Sequence, residues 1–76
     1  MESNDCMMIV STSNTLEIEL ESIVYSQFGE QIMKVIQDVL DEKGIKHIFI
    51  RCLDKGALDY TIRARLITAL RRLEAI

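Results

Sequence analysis

Few residues in this chain can do acid, base or nucleophilic chemistry, and their spacing does not gather them. His47 is the single histidine, and no cysteine or carboxylate stands where local geometry would bring it alongside as nucleophile or orienting group. A lone histidine on the outer side of a strand reads first as a surface residue. Gly29, Gly44 and Gly56 are isolated, so they form no phosphate-cradling loop and read as helix boundaries. Cys6 and Cys52 lie in apolar stretches and read as reduced, buried small hydrophobes; two cysteines alone make no metal site. Two serines follow a glutamate, Ser3 and Ser22. A serine hydroxyl is a weak nucleophile until a base takes its proton, so neither forms a catalytic centre by itself.

Basic side chains are the other candidates. At 100° per residue, Arg65 and Arg72 share one flank of a helix, Arg63 lies on the opposite flank and Arg71 points away from the core, so they form no single basic face. Arg63 follows Asp59 at i+4, the spacing of a helix-stabilising ion pair, and Arg71 and Arg72 suit the negative end of the helix dipole. A nucleic-acid-binding module built on this helix is the rival from a different functional class, and the net charge of −3 argues against it. That charge is unevenly spread. Residues 1–44 carry nine acids against Lys34 and Lys43, a balance of −7, whereas residues 45–76 carry seven bases against three acids, +4.

The elements that must position these residues belong to one domain. At 76 residues, folding buries about 60% of the unfolded chain's surface, enough for a core but with little material for a deep enclosed site. The longest purely apolar run, Cys6 to Val10, is too short to span a membrane or serve as an export signal, so a cytoplasmic protein with no membrane partner is expected. Residues 1–5 read as a flexible leader and 6–76 as a single α+β domain.

Cys6 to Thr12 reads as a strand running into a hairpin loop at Ser11 to Asn14. Leu16, Ile18 and Leu20 alternate with Glu17, Glu19 and Glu21, a second strand with one wet face. From Phe28 the period becomes helical, with Phe28, Ile32, Val35, Ile36, Val39 and Leu40 on one stripe and Lys43-Gly44 as the stop. His47 to Leu53 is a third strand that buries Ile48, Ile50 and Cys52. The Asp54-Lys55-Gly56 turn offers Asp54 or Gly56 as a cap for a second helix with Leu58, Ile62, Leu66, Ala69, Leu70 and Leu73 on its apolar stripe. The order β-β-α-β-α predicts a three-stranded mixed sheet: the first two strands pair as an antiparallel hairpin, the second and third run parallel, and two helices cover one face.

Several segments together carry a family resemblance. Glu2-Ser3-Asn4-Asp5, Ser22-Ile23-Val24, Gln27-Phe28-Gly29, Asp54-Lys55-Gly56-Ala57-Leu58 and Arg63-Ala64-Arg65-Leu66 resemble the acyl carrier protein (gamma subunit) family of citrate lyase. The resemblance implies a non-catalytic subunit that carries phosphoribosyl-dephospho-coenzyme A through a phosphodiester on Ser3. A separate prosthetic-group transferase would attach this arm, whose terminal thiol would hold acetyl or citryl thioesters while the alpha and beta subunits convert citrate to acetate and oxaloacetate. Ser22 shares the Glu-Ser pair but stands at a strand end, where it is the less accessible acceptor. The carrier subunit of malonate decarboxylase is the nearer rival, and the Asp-Lys-Gly-Ala turn fits citrate lyase better.

Overall fold

The computed structural model describes residues 1–76. Its elements are β1 (Cys6–Ser11), β2 (Leu16–Ser22), α1 (Tyr25–Lys43), β3 (Ile48–Asp54) and α2 (Asp59–Arg72). This is the expected β-β-α-β-α order and the expected α+β class, a three-stranded mixed sheet with two helices.

The strand order is β1-β3-β2, and this corrects the hairpin expected between the first two strands. β1 runs antiparallel to β3 and β2 runs parallel to β3, so the third strand is wedged between the first two. Burial explains the choice. Ile48, Ile50, Cys52 and Asp54 of β3 are all buried, and the central position covers this strand on both edges. β2 places Glu17, Glu19 and Glu21 along its outer face and sits at an edge, where charge discourages pairing with another chain. The four residues between Ser11 and Leu16 suffice for the crossing: two strand spacings are about 10 Å, within the extended reach of so short a segment.

Register puts Ile18, Ile50, Leu20 and Cys52 on one face, and Cys6, Met8 and Val10 join them from β1. Against that face α1 contributes Ile32, Ile36, Val39 and Leu40, and α2 contributes Ile62, Leu66 and Leu70. The other face carries the three glutamates with Phe49 and Arg51, as the alternation requires, together with Met7, Ile9 and Leu53. Arg51 donates from Nε to Glu19 across the parallel pair at 2.9 Å.

Both helices close in the same way. Gly44 takes a left-handed conformation (φ 68°) and donates to the Asp41 carbonyl, while Ile45 donates to that of Leu40. These paired bonds satisfy carbonyls the helix leaves open. At the end of α2 Glu74 adopts φ 63°, with Glu74 donating to Arg71 and Ala75 to Leu70. Gly29 is not a boundary, because α1 begins four residues earlier. It is buried under the Tyr25 ring, and a Cβ there would come within 2.9 Å of ring carbons.

Two residues expected in the core are outside it. Phe28 is 51% exposed and Leu58 58% exposed. Each lies at the N-terminal end of its stripe, beyond the packed part of the helix, and the stripe's period alone does not mark where packing stops.

Candidate functional site

The segments that carry the family resemblance are scattered in sequence and meet in space at the turn that follows β3. Asp54 is the hub. The residue is 3% exposed, and its carboxylate accepts three hydrogen bonds, from the Ser22 hydroxyl (2.7 Å), the Gly56 N–H (3.1 Å) and the Ala57 N–H (2.9 Å). Burying a carboxylate is costly unless its oxygens are satisfied, and these donors satisfy them. Gly56 has φ 82°, a left-handed backbone that glycine adopts without steric cost and that turns the chain toward α2. Asp54 therefore shapes the turn and does not cap the helix; the N-cap position is Leu58, which has no side-chain oxygen.

The N-terminal segment is tied to this turn. Asn4 donates its backbone N–H to the Lys55 carbonyl at 2.7 Å, and Lys55 donates to the Asp5 carbonyl at 2.9 Å, extending the β1–β3 ladder past its last paired residues. Asp5 is held a second time. Arg65 donates Nε to Asp5 Oδ1 (3.1 Å) and Nη2 to Oδ2 (2.9 Å), a two-pronged contact from the middle of α2. The Arg65 guanidinium, helped by the Cys6 N–H, holds the Asp5 carboxyl below its ordinary range. Asn4 and Asp5, expected within a flexible leader, are thus bonded to the body. Asn4 itself takes φ 61° and forms a turn with Ser3, which is exposed.

Ser22 and Ser3 differ in what their surroundings allow. The Ser22 hydroxyl donates to Asp54 and accepts from the Val24 N–H at 3.1 Å, on a half-buried residue. Moving that group into a transferase would break both bonds. Ser3 stands on the surface, one residue from the anchor.

The arginines form no common basic surface. Arg63 pairs with Glu42 of α1 and not with Asp59, which instead accepts from Gln31 Nε2 at 2.7 Å. Arg65 is engaged with Asp5, and Arg51 with Glu19. Arg72 shares Arg65's flank but lies two helical turns away on an exposed position. His47 is exposed just before β3, far in register from the Asp54 turn.

Beside Asn4, a groove of about 660 Å³ opens between the starts of α1 and α2. Phe28, Leu58 and Tyr60 line it with Val24 and Ile32. Phe28 and Leu58 fall on the apolar stripes of the two helices, which assign them to the core, and no periodicity singles out Tyr60. The available signal for Phe28 and Leu58 is their position in two of the resembling segments, Gln27-Phe28-Gly29 and Asp54-Lys55-Gly56-Ala57-Leu58.

Comparison with known proteins identifies the fold's relatives. The family model described as malonate decarboxylase delta subunit (MdcD), an acyl carrier family, matches residues 1–73. A citrate lyase acyl carrier protein of Halothermothrix orenii is 49% identical over 95% of this chain and 78% of its own length. Those of Treponema denticola and Streptococcus mutans are 50% and 47% identical, with 83% and 72% of their lengths covered. The chain belongs to the citrate lyase acyl carrier protein family. These relatives are named as acyl carriers, non-catalytic subunits. No solved structure matches the chain. No helix is long and apolar enough to cross a membrane.

Proposed function

We propose that this protein is the acyl carrier subunit of citrate lyase and that Ser3 receives its covalent arm, phosphoribosyl-dephospho-coenzyme A. The observation that carries the assignment is the contrast between the two Glu-Ser serines: Ser22 is locked between Asp54 and Val24, while Ser3 is exposed on a turn pinned at Asn4 and Asp5. The relatives' names supply the complex, citrate lyase, and the alpha and beta subunits are the partners that the family resemblance implies.

An exposed serine next to a fixed point suits a tether. When bound, the arm supplies a terminal thiol that carries the acyl group as a thioester. The chain's own part is to present the Ser3 hydroxyl to a transferase that provides the base, and afterwards to fix the root of the arm so that its tip stays near both catalytic sites. Glu2 and Asp5 give the segment negative charge, and Asp5's charge is partly cancelled by Arg65. The Asn4–Lys55 and Asp5–Lys55 bonds limit how far Ser3 can swing, which raises the local concentration of the tethered group.

Intact-mass and peptide analysis of protein made in cells that synthesise the cofactor tests the assignment. The adduct is expected on the peptide containing Ser3, to disappear in Ser3→Ala and to persist in Ser22→Ala. An unmodified Ser3 peptide, or an adduct that survives Ser3→Ala, rejects it. The description of the matching family model keeps a malonate decarboxylase carrier as the second reading. Reconstitution with citrate lyase alpha and beta subunits separates the two, since only the first reading predicts restored citrate cleavage.

A further inference from the structure

The groove beside Asn4 has no part in the assignment of Ser3, and its chemistry is unusual for the surface of so small a protein. Phe28, Leu58 and Tyr60 are 51%, 58% and 71% exposed, and all three line the same depression. Clustered exposed apolar side chains of this size mark a binding surface more often than chance. Asn4, the residue after Ser3, forms part of the wall.

We propose that this groove seats the adenine base at the root of the arm attached to Ser3. The inference rests on the carrier reading above and specifies where the arm is held. Three observations favour the base over the rest of the arm. The first is reach: the phosphoribosyl group joins serine to the adenosine portion, so the base lies near the attachment point and the thiol at the far tip. The second is charge. Asp59 is the single charged residue in the lining, its carboxylate facing Gln31, and no lysine or arginine is among the lining residues. Anionic phosphates are disfavoured there, whereas a neutral heterocycle is not. The third is shape and polarity. Phe28 and Tyr60 offer aromatic faces for stacking, which is sequence-tolerant and specific to planar groups, and the Asn4 side-chain amide has the donor–acceptor pair that matches adenine's N6 and N7 edge. Holding the base would leave the flexible tip free to visit two catalytic sites.

NMR on the holo-protein, with the adduct on Ser3 verified by mass, provides the test. Nuclear Overhauser contacts are expected from adenine H2 or H8 to the rings of Phe28 and Tyr60, with shifted amide signals at Gly56 and Leu58 relative to the apo-protein. Tyr60→Ala and Phe28→Ala should lose these contacts while keeping the adduct and the apo-protein's circular dichroism, and Tyr60→Phe should retain them. An adduct present on Ser3 with no contacts and unchanged groove amides overturns the seat and leaves the carrier reading intact. Contacts from the pantetheine portion instead of the base also overturn it. Absence of any adduct on Ser3 overturns both.

Discussion

The Ser22 hydroxyl donates to the Asp54 carboxylate at 2.7 Å, joining the ends of the parallel strands β2 and β3. The same carboxylate holds Gly56 and Ala57, so one buried group fixes both the strand ends and the turn against which the N-terminal segment packs. Ser22→Ala should lower stability by about 1–2 kcal/mol, because it removes a hydrogen bond to a charged acceptor and leaves the Val24 N–H without its partner. Asp54→Ala strands three donors and should cost about 3 kcal/mol. Urea denaturation of the apo-protein measures both. Equal stability of Ser22→Ala and the parent would show that the bond contributes nothing and that Ser22 is freer than its contacts indicate.

The two helix ends make opposite predictions from one motif. Gly44 sits at φ 68° with nothing within 4 Å of a Cβ placed there, so Gly44→Ala meets no clash and its cost is conformational alone, about 1 kcal/mol. Glu74 occupies the matching position after α2 at φ 63°, where its own Cβ is the liability. Glu74→Gly should therefore stabilise by about 0.5–1 kcal/mol. Thermal denaturation of the pair gives shifts of opposite sign. A destabilised Glu74→Gly protein would mean that the glutamate side chain contributes more than its strained backbone costs.

Much of this architecture was legible in local pattern. The Leu16-to-Glu21 alternation and the Ile48, Ile50, Cys52 face appear in the structure on the sides that period two assigns. The strand order was not legible, because a short connection between Ser11 and Leu16 is also what a hairpin would have, and only the competition for the central position, won by β3, decides against it. The N-terminal segment shows the same gap. Asp5 finds Arg65, sixty residues away, and Asn4 finds Lys55; no periodicity encodes either contact. Phe28 and Leu58 fit their stripes as well as Ile32 and Ile62 do, and only the tertiary placement of the helix starts leaves them facing a groove.

Cys6 and Cys52 lie on the inner face of the sheet, 4% and 0% exposed. The neighbouring Cys6 sulfur and burial push the Cys52 thiol well above the ordinary thiol range, so its thiolate is scarce near neutrality. Because both side chains are buried out of reach of a reagent, apo-protein should show no fast-reacting thiol toward an aromatic disulfide reagent at pH 8, and both cysteines should react once the protein is unfolded in urea. Any rapid reaction of the native holo-protein then reports the arm's own thiol. Prompt modification of Cys6 or Cys52 in the native apo-protein would contradict the buried placement.

The Arg65–Asp5 contact ties the residue two positions after Ser3 to α2, and its pH dependence follows from the direction of the Asp5 shift. With its native pKa held below the ordinary carboxyl range by Arg65, Asp5 binds its proton more readily in the unfolded chain than in the folded one. Its stabilisation is then fully present above about pH 5 and is lost as the pH falls through the native value. Glu42, lowered by Arg63, acts in the same direction. Both pairs are solvent-exposed on at least one side, so the effect on global stability is small and screened by salt. The local effect is larger in kind: without the guanidinium, the segment keeps only its backbone bonds to Lys55. Arg65→Ala should therefore speed amide exchange at Asn4 and Lys55 at neutral pH while leaving Ile36 and Ile50 protected, and acidifying the parent below pH 4 should bring the same amides toward the exchange behaviour of the variant once intrinsic rates are corrected for pH. Unchanged protection at Asn4 in Arg65→Ala would show that the backbone bonds alone hold the Ser3 turn in place.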